Sequence, residues 1–161
     1  MIFVTIGTQE PFDRLICMID DISYNLNIEI IAQTSVHSNY KPKNIQVREF
    51  LTPNEFDQLF DEAELIIAHA GMGTIISALM KKKALIVVPR KKELGEHRSD
   101  HQMATVKYLG ELGYLNTAQN KDDLIRLLDL FDKHQNTLIK KEIGPYASPA
   151  LTEELRSIIL D

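Results

Sequence analysis

The segment from Glu64 to Gln102 constrains the fold more than any other part of the chain. Leu65-Ile66-Ile67-Ala68 is a short apolar run of the kind that forms a parallel strand covered on both faces, and His69-Ala70-Gly71-Met72-Gly73-Thr74 breaks it with no polar spacer. The chain must turn sharply there. The spacing predicts a helix from Ile75 to Lys82 with Thr74 as its N-cap, and glycines at 71 and 73 that supply positive φ and close backbone approach. Free N–H groups at such a helix start favour an anion in the turn. A second apolar strand, Leu85-Ile86-Val87-Val88, then delivers Pro89-Arg90 and the loop Gly95-Glu96-His97-Arg98-Ser99-Asp100-His101-Gln102 to the same sheet edge. Five titratable side chains fall within six residues of that loop, from Glu96 to His101.

Other readings of these residues stay open. A glycine turn without a phosphate-loop lysine or a full dinucleotide fingerprint is weak evidence by itself. Ser99 and Gln102 have capping-box spacing, so Gln102 could close the first turn of a helix from Asp100 to Leu112. His97 and His101 are four apart with acids nearby, but a helix beginning at Ser99 splits the geometry a metal needs, and no metal is expected.

The chain has 161 residues, which fits one domain able to bury roughly 68–70% of its unfolded surface. One cysteine, Cys17, excludes an internal disulfide and reads as a buried hydrophobe on the first helix. The opening Met1-Ile2-Phe3-Val4-Thr5-Ile6 has no basic flank or cleavage signal, and no apolar run reaches the length of a membrane span, so a cytoplasmic protein is expected. A net charge of −5 argues against general nucleic-acid binding, and Lys81-Lys82-Lys83 and Arg90-Lys91-Lys92 read mainly as solvated clusters.

Along the rest of the chain strands and helices alternate. Residues 2–6, 28–32, 45–50 and 114–116 read as further strands; a helix begins at Pro11 with Phe12, Leu15, Ile16, Ile19 and Ile22 at helical spacing. Pro53 to Phe60, Asp122 to His134 and Thr152 to Leu160 read as helices, and 33–44 as one long polar loop. The pattern predicts an α/β fold, a doubly wound, Rossmann-like parallel sheet over 1–161, with ligands at the carboxyl ends of its strands.

Three separated motifs then become recognisable. Ile2-Phe3-Val4-Thr5-Ile6-Gly7-Thr8-Gln9 with Pro11-Phe12-Asp13-Arg14-Leu15, His69-Ala70-Gly71-Met72-Gly73-Thr74-Ile75-Ile76, and Gly95-Glu96-His97-Arg98 with Asp100-His101-Gln102 closely resemble the split glycosyltransferases of bacterial exopolysaccharide and capsule assembly, over residues 2 to about 115. The chain looks like their smaller subunit, similar to the C-terminal, nucleotide-sugar-binding half of a GT-B enzyme (glycosyltransferase family 28 C-terminal domain-like). It is also similar to the matching subunit of the two-piece N-acetylglucosamine transferase of N-glycan assembly.

The resemblance implies a hexosyltransferase half that takes a UDP-sugar as substrate, needs no cofactor, and works with a membrane-associated second subunit on a lipid-linked saccharide acceptor. Recruitment to the inner face of the plasma membrane would come through that partner. It places the diphosphate at Gly71, Gly73 and Thr74, with Met72, Gly7, Thr8 and Arg90 as further substrate-binding candidates on the same rim. Uracil would lie near Phe50-Leu51, and the sugar near Glu96, His97, Asp100, His101 and Gln102. Where related transferases carry a ribose-binding glutamate, this chain has Ser77. Glu10 and His97 are candidate general bases, and the base could equally sit on the partner. A noncatalytic nucleotide-sugar-binding or regulatory subunit is the alternative. A dinucleotide oxidoreductase fits less well, since the first strand lacks a G-x-G-x-x-G turn.

Overall fold

The computed structural model describes residues 1–8, 10–133, 135–141 and 143–144. Gln9, His134 and the helix expected over Thr152 to Leu160 lie outside the described residues. Strands β1 (Ile2–Thr5), β2 (Ile30–Gln33), β3 (Gln46–Arg48), β4 (Leu65–His69), β5 (Ala84–Val88) and β6 (Asn116–Thr117) alternate with helices α1 (Asp13–Ser23), α2 (Pro53–Glu62), α3 (Met72–Met80), α4 (His101–Glu111) and α5 (Lys121–Lys133). All pairings are parallel, in the order β3-β2-β1-β4-β5-β6. The expected doubly wound sheet is present, and its order reverses between β1 and β4.

The uninterrupted apolar runs follow from burial on both faces. Ile2 and Val4 of β1, Leu65 and Ile67 of β4 and Ile86 and Val88 of β5 pack with Leu15, Ile16 and Ile19 of α1 and Leu124 and Leu128 of α5. Phe3, Ile66, Ala68, Leu85 and Val87 point the other way, onto Phe60 of α2, Ile75, Ala78 and Leu79 of α3 and Val106 of α4. Each strand residue therefore serves a core, and no polar alternation is left to see. Cys17 is half-buried on α1 instead of fully buried.

Element ends moved where tertiary contacts outweigh local pattern. α2 begins with a full capping box between Thr52 and Glu55, as a Thr-Pro start favours. α3 begins three residues before the expected Ile75, with Gly71 as N-cap at φ −82°, so Thr74 lies inside the first turn and caps nothing. Neither Gly71 nor Gly73 has positive φ; among the glycines it occurs at Gly7, Gly95 and Gly113.

The polar loop 33–44 is pinned by α1. Asp13 accepts hydrogen bonds from the Ser38 hydroxyl and the Asn39 N–H, and buried Asp20 accepts them from Tyr40 Oη at 2.8 Å, Lys43 N at 3.0 Å and Asn44 N at 2.7 Å. Burial alone would raise the Asp20 pKa, but the Asn44 and Lys43 N–H groups and the Tyr40 hydroxyl together hold it below its usual value. That stabilisation is present above the unfolded carboxyl pKa of about 3.9 and is lost as pH falls through the lower folded value. Asp20→Ala is expected to cost about 1–3 kcal/mol, because it removes the acceptor of the part-buried Lys43 and Asn44 N–H groups and of the Tyr40 hydroxyl. Its thermal midpoint should also show a shallower acid slope than the wild type, and an unchanged slope would remove Asp20 as the anchor.

Candidate functional site

The loops after β1, β4 and β5 meet above the point where the strand order reverses, the place where ligands enter doubly wound sheets. They line a cleft of about 350 Å³ with Ile6, Gly7, Thr8, Glu10, His69, Gly71, Gly73, Thr74, Arg90, His97 and Gln102. Of the residues expected at a site, Gly7, Thr8, Glu10, Gly71, Gly73, Thr74, Arg90, His97 and Gln102 are brought together here. Phe50, Met72, Glu96, Asp100 and His101 are not among the lining residues.

The cleft wall at α3 is a helix start without a side-chain cap. Gly71 N–H bonds back to the His69 carbonyl at 2.8 Å, and the chain then enters the helix through Met72, Gly73 and Thr74, whose N–H groups have no partner four residues earlier. A Cβ built at Gly73 meets no atom within 4 Å. Free donors, the positive end of the helix dipole and open space coincide, which is what an anionic oxygen requires.

His69, absent from the residues expected to touch ligand, lines the cleft. As the last residue of β4 it turns its ring into the gap between two glycines: a Cβ at Gly71 would stand 2.3 Å from Nε2, and one at Gly7 would stand 2.9 Å from Cε1. These two glycines make room for an imidazole. Burial lowers the His69 pKa to about 4, helped by the Arg90 cation and by His97 and opposed by the Thr5 main chain. Nδ1 is buried with no hydrogen-bond partner. His69 is therefore neutral near pH 7, with one ring nitrogen protonated and the other a lone-pair acceptor, and since Nδ1 is buried only Nε2 is left to meet the cleft. A polar residue ending a wholly apolar strand at the sheet's carboxyl edge was the available signal.

Several of the residues expected to bind ligand hold the rim loops together. Arg90 is 2% exposed, and its guanidinium donates to the carbonyls of Pro11 at 2.5 Å, Glu96 at 3.3 Å, Ile6 at 3.0 Å and Glu10 at 2.7 Å. It also lies 4.5 Å from the centre of the Phe12 ring. Burial pulls its pKa down, and the Glu96 and Glu10 carboxylates oppose that. The Glu96 carboxylate forks onto Arg14 at 2.6 and 3.0 Å and accepts the Lys91 N–H at 2.8 Å, so it is occupied. Gln102 does not close a capping box with Ser99; its Oε1 accepts the Ala70 N–H at 3.3 Å and the Arg90 N–H at 3.1 Å, tying β4 to β5. Asp100 is the N-cap residue of α4 and accepts the Lys92 N–H at 3.3 Å, while His101 is exposed at the first position of that helix. Phe50 is 77% exposed beyond β3.

Among the described residues, Glu10 and His97 line the cleft without a side-chain bond that ties the rim loops together. Glu10 follows β1, and His97 has Nδ1 held 2.9 Å from the Ser99 carbonyl, a contact that does not involve Nε2.

Residues 1–153 match the glycosyltransferase family 28 C-terminal domain. The chain belongs to that family. It is thus a glycosyltransferase domain, and the human UDP-N-acetylglucosamine transferase subunit ALG13 is 28% identical to it over 123 residues, 71% of this chain and 10% of the human protein. The ALG13 subunit of Debaryomyces hansenii is 28% identical over 104 residues, 58% of this chain and 49% of the yeast protein. The family 28 domain therefore spans from about a tenth to about half the length of these relatives.

Among solved structures, ALG13 superposes with a TM-score of 0.56 at 20% identity, covering 96% of this chain and 93% of that one. Acinetobacter baumannii MurG gives 0.61 at 17% identity, with 98% and 49% covered. The Neisseria meningitidis UDP-GlcNAc 2-epimerase bound to UDP-GlcNAc also gives 0.61, at 11% identity, with 99% and 44% covered. These likenesses establish the fold as one half of a GT-B architecture.

Proposed function

We propose that this family 28 domain is the donor-binding half of a two-piece, inverting glycosyltransferase that moves a sugar from UDP to a polyprenyl-diphosphate-linked acceptor. The observation that carries the reading is the uncapped start of α3 opening into the cleft beneath Gly73. The diphosphate sits over Gly73 and Thr74, where backbone N–H groups and the helix dipole stabilise the leaving group in the role a divalent cation plays elsewhere. Neutral His69 lines the same cleft as a hydrogen-bonding partner. Arg90 adds a buried positive charge without a direct contact. Uracil lies toward Phe50 and Leu51, and Gln102 presents its amide to the sugar. The relatives' names make UDP-N-acetylglucosamine the first donor to try, while the motifs resemble exopolysaccharide and capsule transferases.

A direct test is calorimetric titration with UDP and UDP-sugars, with and without EDTA. Binding is expected in both, with affinity unchanged by magnesium. Absence of UDP binding, or an absolute need for the metal, overturns the reading.

The acceptor and the second cleft wall come from a membrane-associated partner subunit in this reading. Among the described residues no helix is long and apolar enough to cross a membrane. The chain by itself is expected to transfer almost no labelled sugar to lipid acceptor, and co-expression with the partner is expected to give transfer in membranes. Efficient transfer by the purified chain would refute the two-piece arrangement. UDP binding with no transfer even beside the partner would favour a noncatalytic nucleotide-sugar-binding subunit.

A further inference from the structure

The geometry points to Arg90 and Glu96 as positioning residues that set the width of the cleft by fastening its two rim loops to each other and to α1. This assignment rests on the donor-binding reading above and adds to it how the site keeps its shape.

The β1 loop and the β5 loop face one another across the cleft, and no β-ladder joins them beyond the ends of β1 and β5, which are not neighbours in the sheet. β4 lies between. Arg90 bridges that gap from below. On the β1 side its guanidinium binds the carbonyls of Ile6, Glu10 and Pro11, and on the β5 side it binds the carbonyl of Glu96. A planar fork with donors at fixed angles can hold several carbonyls at set spacing; an ammonium, a single point of charge on a flexible stem, cannot reproduce it. The Phe12 ring, 1% exposed, closes one side of the guanidinium and keeps it from swinging into the cleft.

Glu96 supplies the second fastening. Its main chain is held by Arg90 while its carboxylate is forked by Arg14 of α1 and receives the Lys91 N–H. Arg14 also donates to the Pro89 carbonyl at 2.8 Å, so α1 grips the β5 loop at both of its ends. The next residue, His97, lines the cleft. Its place is thus fixed through Glu96, with Gly95 at φ 69° allowing the sharp return that brings the carboxylate back to Lys91. Neither Arg90 nor Glu96 needs to touch ligand, because fixing the loops that do is a separate task with its own cost when lost.

Arg90→Lys separates these roles, since it keeps the charge and removes the fork. Amide hydrogen exchange in ligand-free protein is expected to speed up at Gly7, Thr8, Glu10, Phe12 and residues 95–98, with β2 and α5 unchanged, and UDP affinity is expected to fall about tenfold. Glu96→Gln, at a partly exposed position, carries the same test if the lysine variant does not fold: faster exchange at 95–98 and weaker UDP binding. Unchanged affinity in the folded variant, or exchange accelerated evenly through the sheet, overturns the assignment and leaves a general stability role. If wild-type protein binds no UDP, the donor reading fails by itself, and the exchange pattern still decides whether these two residues hold the rim.

Discussion

Gly71→Ala is expected to abolish UDP binding and to cost the fold about 1–3 kcal/mol, the range for forcing an added carbon into a packed site. The new Cβ would stand 2.3 Å from His69 Nε2 and 2.8 Å from Cε1. On its other side the ring lies beside Gly7, where an added Cβ would fall 2.9 Å from Cε1, so little room is left there. It must swing into the cleft or push the turn off the start of α3, and both outcomes close the site. Thermal denaturation and UDP titration of Gly71→Ala, His69→Ala and the double variant measure this. The double variant should recover the stability of His69→Ala without recovering binding. A Gly71→Ala protein that melts and binds like wild type would show that ring and turn are uncoupled.

Gly73→Val, two residues on, should behave in the opposite way toward stability. Its Cβ meets no atom within 4 Å, and the position is already helical, where valine is less unfavourable than glycine. The melting temperature should hold or rise slightly. The branched side chain, however, fills the space above the free N–H groups, so UDP affinity should drop at least about a hundredfold, equivalent to ~2.7 kcal/mol. A folded Gly73→Val protein with undiminished affinity would sink the diphosphate placement. The pair thus distinguishes two glycines that look alike in the chain.

That difference marks where sequence reading stops. Strands such as Leu65–His69 and Ala84–Val88 were legible because a strand covered on both faces must be apolar throughout, and the order of motifs located the rim. Gly71 was expected to serve a backbone angle, yet its φ is ordinary, and its smallness serves a ring contributed by its own strand end. Clearance of that sort leaves no local pattern. Gln102 had the right offset from Ser99 for a cap, but two N–H groups from the ends of β4 and β5 claim its oxygen. Glu96 and Arg90 belonged to a conspicuous charged loop, and their partners, Arg14 and the carbonyls of residues 6, 10 and 11, are some eighty positions away in the chain. His69 was legible only as a polar residue ending an apolar run, and its place in the cleft emerges once the glycines on either side of it are seen to be neighbours.

The place of β1 in the sheet bears on how the chain must be made. Ile2, Phe3, Val4 and Thr5 are all buried, paired on one side with β2 and on the other with β4, where Ile2 faces Leu65. A chain emerging from the ribosome can assemble β1, β2 and β3 first, but until Leu65–His69 arrives that partial sheet keeps an open, apolar edge along β1 with unpaired N–H and C=O groups. Such an edge recruits other strands, and the long separation between β1 and β4 slows its closure. Nascent chains halted before β4 would therefore keep this edge exposed, and emergence of Leu65–His69 is what covers it.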